Sequence, residues 1–305
     1  MYHKIFIYMC IFCFTFIVNA NEKYEKKLTF EKYFQKAING DVDAQFNIGL
    51  MYYQGIAVEQ DFGQAFFWYE KAASLGSVEA QNNLGYMYEH GINREKNITQ
   101  ALNYYTMAAN RGYIVAQLNL GLYYESKQTD KYMKDALFWY EKAANQGSIA
   151  AQNNLAKFYY FGNNVDKDYK KAIYWYTEAA KKNDPVAQFN LSMMYYSGEG
   201  TSKNYDKSFE LLEKSADSGN KFAQRKLAEF YRAGTIIDQD YKKAMKYYLL
   251  GAKEKDNLSM YYIGYFYYYG HGVEVDKKKG IYWMQKAEDN GYIQAKRFLE
   301  RHNYQ

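Results

Sequence analysis

The sequence predicts an all-α solenoid built from two-helix repeats, and three observations predict it. One phrase returns eight times at a spacing of about 36 residues, each copy carries apolar residues at helical spacing, and a glycine closes nearly every helix-length stretch. The copies read DAQFNIGLMYYQG, EAQNNLGYMYEHG, VAQLNLGLYYESK, AAQNNLAKFYYFG, VAQFNLSMMYYSG, FAQRKLAEFYRAG, LSMYYIGYFYYYG and a truncated QAKRFLE. The opening alanine stands at Ala44, Ala80, Ala116, Ala151, Ala187 and Ala223, becomes Ser259, and returns at Ala295. A fixed period of this length marks an array in which each repeat buries its face against its neighbours.

Residues 1–20 read as a secretory signal peptide. Lys4 lies in a short basic start, an apolar run extends from Ile5 to Val18, and Val18-Asn19-Ala20 precedes a polar stretch, so cleavage is expected after Ala20. An uncleaved anchor is the other reading, although the run is shorter than the ~20 residues a spanning helix needs. Both cysteines, Cys10 and Cys13, fall inside this segment, so the mature chain is expected to have no thiol, no disulfide and no cysteine-based site. It would carry 38 basic against 34 acidic residues, interspersed along the chain. Nothing in that pattern suggests a nucleic-acid stripe or a polybasic membrane patch.

The first half of each repeat is a helix. Ala44, Ile48 and Tyr52 recur at i, i+4 and i+8 with Met51 on the same flank, matched by Ala80/Leu84/Met87/Tyr88 and Ala187/Leu191/Met194/Tyr195. A small residue follows each central aliphatic: Gly49, Gly85, Gly121, Ala156, Ser192, Ala228 and Gly264. Glycine within a helix costs about 1 kcal/mol against alanine, so this column implies a partner helix in close approach. The helix is expected to end at Gly55, Gly91, Gly162, Gly198, Gly234 or Gly270; the third repeat has Lys127 there.

The second half opens on a capping side chain, Asp61, Asn97, Asp168, Asn204, Asp240 or Asp276. A stripe of Ala65, Trp68, Tyr69, Ala72 and Ala73 follows, repeated as Ala136, Trp139, Tyr140, Ala143 and Ala144. Gly76, Gly112, Gly147, Gly219 and Gly291 close these helices, and the single proline, Pro185, falls at a helix start where it is tolerated.

The combined pattern, A-x-x-x-L-G-x-x-Y-x-x-G followed by D-[YF]-x-x-A-x-x-W-[YF]-x-x-A-A-x-x-G, resembles the Sel-1-like repeat, a relative of the tetratricopeptide repeat. The resemblance covers residues 41–305 as seven repeats plus a C-terminal capping helix, and residues 21–40 resemble an N-terminal capping half-repeat. It implies a right-handed α/α superhelical solenoid with no shared catalytic residue and no cofactor, a scaffold that binds protein partners or extended peptides on its concave face. The chain departs locally from the pattern at Leu211-Leu212, at Gly251 and Lys255, and at the NLSMYYIG start of the last full repeat.

Enzyme motifs are sparse. His90, His271 and His302 lie apart, and HExxH, GxSxG and the phosphate-binding GxxxxGK[ST] are missing. Ser218-Gly219-Asn220-Lys221 formally spells the SxxK of penicillin-recognising hydrolases, but it falls where one repeat turns into the next and has no SDN or KTG companion. The expectation is therefore a non-catalytic protein without cofactor or metal, exported to the periplasm or beyond, monomeric, with an envelope spacer as the other non-enzymatic reading.

The candidate binding residues form two columns on the first helices. Asn47, Asn83, Asn119, Asn154 and Asn190 recur at one position, until Lys226 and Tyr262 replace them. An amide offers donors and an acceptor, so such a ladder suits a peptide backbone, or else fixes the repeat geometry by bonding a neighbouring helix. Tyr53, Tyr160, Tyr196 and Tyr268 fall one place beyond the apolar stripe, toward the exposed flank, as candidate apolar anchors or as half-exposed packing.

Overall fold

A computed structural model of the chain describes residues 20–162 and 166–302. The proposed signal segment and both cysteines therefore lie outside the described residues, apart from Ala20. Sixteen helices and no strands are found among the described residues. They are α1 (Ala20–Ile38), α2 (Val42–Gln54), α3 (Phe62–Ser74), α4 (Val78–His90), α5 (Ile98–Asn110), α6 (Ile114–Glu125), α7 (Asp130–Asn145) and α8 (Ile149–Phe161). The series continues with α9 (Tyr169–Ala180), α10 (Pro185–Ser197), α11 (Tyr205–Asp217), α12 (Lys221–Ala233), α13 (Tyr241–Lys253), α14 (Asn257–Tyr269), α15 (Lys277–Asp289) and α16 (Ile293–Arg301). Even-numbered helices from α2 onward are the first helices of the repeats, and odd-numbered ones from α3 are the second. The architecture is an all-α solenoid of two-helix repeats.

Two compact units divide the chain, residues 1–120 and 121–305. Within the first, α1 packs on α2, α2 on α3, α3 on α4 and α4 on α5. Phe30, Tyr33 and Phe34 of α1 close over Ala44, Ile48 and Trp68, so the helix preceding the first repeat covers an apolar face that would otherwise meet water. Within the second unit each helix from α7 to α16 likewise packs chiefly on the next in chain order.

Capping sets the helix limits. All six expected second-helix caps accept a backbone N–H at the next helix start, as Asp168 does from Lys171 and Asp276 from Lys279. The first helices have caps of their own that the sequence reading did not single out: Asp41, Ser77, Ser148, Asp184, Asn220 and Asp256. Gly55 ends α2 at φ 69° and donates to the Met51 carbonyl, a left-handed residue that a Cβ would strain, and five further first helices end the same way. In the second helices the expected glycine lies one residue beyond the cap, as Gly76 follows Leu75. Pro185 is the first residue of α10. Where Lys127 replaces the glycine, the left-handed residue is Gln128, and α7 begins early enough to reach 16 residues.

The small-residue column has a definite steric cause. A Cβ on Gly49 would lie 2.7 Å from Cδ1 of Tyr69, and one on Gly85 2.7 Å from Cδ1 of Tyr105. In the second unit a Cβ on Gly121 would lie 2.5 Å from Cε1 of Tyr140. The partner helix approaches through the face of a fully buried tyrosine ring. In repeat seven the pair becomes Gly264 and Gly280, each close to the other's carbonyl, with Met284 in place of the tyrosine.

Candidate functional site

The buried tyrosines define what lies above them. In every repeat that has one, its hydroxyl points toward the residue nine places after the opening alanine of the same repeat, the column that contains Tyr53 and Tyr160. Tyr105 donates to Oε2 of Glu89 at 2.8 Å, and Tyr140 donates to Oε2 of Glu125 at 2.7 Å. Tyr248 sits beside the Arg232 guanidinium. The asparagine column borders the same row of hydroxyls from the following repeat: Asn83 lies beside Tyr69 and Asn154 beside Tyr140. The two columns therefore share one face of the first helices within each unit.

The asparagines are used unequally. Asn47 donates to the Asp43 carbonyl in its own helix at 2.8 Å. Asn119 is buried and donates to Oδ1 of Asn82, one repeat earlier, at 2.9 Å, while Asn82 in turn donates to Asn83 at 3.4 Å. Asn154 and Asn190 are half-buried and make no hydrogen bond to the backbone of another helix. The amide that fastens one repeat to the next is instead glutamine. Nε2 of Gln45, Gln81, Gln117, Gln152 and Gln224 each donates to the carbonyl eight residues earlier, from Ala37, Ala73, Ala109, Ala144 and Ala216, at 3.0–3.3 Å. Its signal was in the sequence, since Gln follows the opening Ala in six consecutive copies.

The tyrosine column also divides. Tyr53 is half-buried with its ring edge-on to Phe62, and Tyr196 is half-buried against Phe230 and Tyr205. Tyr160 donates to Oε2 of Glu199 at 2.9 Å, and burial, followed by that bond and the carboxylate's charge, pushes its phenol up to about 12. Tyr268 does not reach the exposed flank. Phe298 and His302 of the last helix cover it, leaving it 9% exposed.

One cavity of about 390 Å³ collects members of both columns. Lys157, Tyr160 and Phe161 of α8, Tyr176 of α9, and Asn190, Met193 and Met194 of α10 line it, all in the second unit. Tyr176 and Met194 are buried, Phe161 and Lys157 are exposed, and the others are intermediate. Burial pushes the Tyr176 phenol well above its ordinary value. Tyr176, Lys157 and Met193 were not among the sequence candidates.

The groups weighed for catalysis lie apart. His90 rests against Tyr86 of its own repeat, His271 against Tyr241 of the preceding repeat, and His302 bonds the Phe298 carbonyl. Ser218 is exposed at the end of α11, and Lys221 opens α12 across the turn. Among the described residues no three His, Cys, Asp or Glu side chains converge as a metal site, and no helix is long and apolar enough to cross a membrane.

Comparison with known proteins now defines the class. The Sel1 repeat profile matches seven consecutive segments, 42–77, 78–113, 114–148, 149–184, 185–220, 221–256 and 257–292, and the chain belongs to the Sel1 repeat family. Among solved structures it is similar to c5321, a protective antigen of uropathogenic Escherichia coli strains with an SLR fold, at 29% identity and a TM-score of 0.82. That match covers 88% of this chain and 58% of the antigen, so the chain spans well under two thirds of that relative. A Sel1 repeat protein from Oxalobacter formigenes matches at 29% identity and a TM-score of 0.74, covering 92% of this chain and 81% of the other. Comparison with curated proteins found no match. Proteins built from Sel1 repeats generally act as scaffolds for protein–protein interaction.

Proposed function

We propose that the chain is an exported, non-catalytic scaffold that binds partner proteins through the first-helix face bearing Asn47, Asn83, Asn119, Asn154, Asn190, Tyr53, Tyr160 and Tyr196. The observation that carries this reading is the cavity in the second unit, where Tyr160 and Asn190 line the same open space. Export rests on the sequence anatomy of residues 1–20, and the likeness to a protective antigen supports it. In this reading residues 1–20 are removed, residues 21–40 cap one end and the C-terminal helix caps the other.

The first test is capture of partners by wild-type and variant chains, with melting temperatures measured on the same preparations. Asn154→Ala and Asn190→Ala together are expected to weaken capture and leave the melting temperature nearly unchanged, because neither amide bonds the backbone of another helix. Asn119→Ala is expected to do the reverse, since its bond to Asn82 joins two repeats. A double variant that binds as well as wild type would remove this face from the function. Sequencing the N-terminus of the exported protein is expected to give Asn21; retention of Met1 in a membrane fraction would replace export by anchoring.

A further inference from the structure

Of the five buried tyrosines that face the asparagine column, Tyr176 is the one that lines this cavity. The hydroxyls of Tyr105 and Tyr140 are taken up by Glu89 and Glu125, whereas those of Tyr69 and Tyr248 are enclosed beside Asn83 and Arg232 without a hydrogen bond of normal geometry. In repeat four the corresponding position carries Tyr160, as repeat one carries Tyr53, and Tyr160 turns to Glu199 on the next repeat. Tyr176 is only 5% exposed as a residue, but its hydroxyl, which has no hydrogen-bond partner among the described residues, is not fully enclosed, and the side chain lines the cavity. A phenol so placed can donate a hydrogen bond to, or accept one from, a group that enters the cavity.

The rest of the cavity specifies what that group is. Met193, Met194, Phe161 and the Tyr160 ring give it apolar, polarisable walls, and thioethers make favourable contacts with aromatic rings. The Asn190 amide lines the same space without a hydrogen-bond partner among the described residues and offers both donor and acceptor. Lys157, on the exposed rim, has no ion-pair partner there, whereas the neighbouring Glu199 carboxylate is already engaged by the Tyr160 and Ser197 hydroxyls. The occupant must therefore have an aromatic body, a polar tip and an adjacent negative charge.

We propose that this cavity is a side-chain pocket for a tyrosine of a partner protein flanked by an acidic residue, with the partner's phenol meeting Tyr176 and Asn190 and the carboxylate meeting Lys157. The proposal rests on the reading of this face as a protein-binding surface and names what one of its repeats selects. A tyrosine suits such a pocket because it buries a large ring with few rotors while its hydroxyl still finds a partner.

The test titrates the full chain with three blocked dipeptide probes, acetyl-Asp-Tyr-amide, acetyl-Asp-Phe-amide and acetyl-Lys-Tyr-amide, followed by saturation-transfer NMR of the probe rings. The Asp-Tyr probe is expected to bind, and the other two at least several-fold more weakly. Tyr176→Phe keeps the buried ring and should abolish the preference for tyrosine over phenylalanine, Lys157→Gln should abolish the preference for aspartate over lysine, and Met193→Trp should fill the pocket and block all three. Equal binding of Asp-Tyr and Asp-Phe to the wild-type chain, or unchanged binding to Met193→Trp, overturns the pocket. Partner capture by the Met193→Trp chain separates the two levels: if capture is undiminished, the pocket falls and the wider face stands, whereas loss of capture in the Asn154/Asn190 variant but not in Met193→Trp assigns binding to the ladder alone.

Discussion

Single residues in this chain compensate one another, and the clearest pair is Gly251 with Ser259. In the other repeats the two positions hold small residues such as Ala72 with Ala80 and Ala108 with Ala116, all buried. Ser259 adds a hydroxyl, which donates to Asp256, and a Cβ on Gly251 would collide with that oxygen. Gly251→Ala should therefore destabilise the chain, by about 1–3 kcal/mol for an overpacked core site, while Gly251→Ala with Ser259→Ala should recover most of it. Thermal or denaturant unfolding of the two singles and the double checks this, and additive effects would disprove the coupling. Both residues looked like irregularities in the sequence; each is the reason for the other.

The glutamine that follows the opening alanine is a second residue-scale device. Gln81 is 3% exposed and its amide satisfies the Ala73 carbonyl at the end of the preceding helix. Gln81→Leu keeps the bulk and removes the bond, so an expected loss of about 1–2 kcal/mol in unfolding free energy measures what one such link contributes.

At the scale of the helix, the packing rule is a small residue on the first helix against a buried ring on the second. Gly85→Val would drive two methyl groups into the Tyr105 ring, and a loss of about 3 kcal/mol is expected from overpacking. The same change should cost less in a Tyr105→Leu background, because Leu212 already takes this position in repeat five opposite Ser192. Unfolding midpoints of the three variants decide it. The asparagine and tyrosine columns were legible as columns because they recur at the repeat period. Which members are free was not: Asn119 meets Asn82 from 37 residues away, and Tyr268 is covered by a helix that begins at Ile293.

For the molecule as a whole, each repeat leans mainly on its neighbours, so removing residues 78–113, one whole repeat, should leave a helical chain with a cooperative but lower melting transition. Loss of cooperative unfolding in that deletion would contradict nearest-neighbour stability. The phenols give a matching pH dependence. Tyr159, Tyr160, Tyr231 and Tyr247 are each pushed up to about 12, chiefly by burial. A raised folded-state value means the native chain holds these protons more tightly than the unfolded chain does. The stability they contribute is thus complete below the unfolded value near 10 and is lost as pH rises through about 12. Unfolding midpoints should hold steady up to about pH 9 and then fall, with phenolate absorbance appearing late in the folded chain.

The sequence by itself determined the repeat length, the two-helix unit, the second-helix caps and the apolar stripes. Each of these depends on contacts within about eight residues or on a pattern repeated seven times, so local chemistry and period suffice to reveal it. Tertiary structure decided which polar groups remain available. Whether Tyr176 is satisfied depends on what Tyr160 does, and that depends on Glu199, 39 residues further on. Hydrogen bonds between repeats can be exchanged among several side chains of the same type, and only the packed arrangement selects one pairing and leaves the cavity beside Tyr176 open.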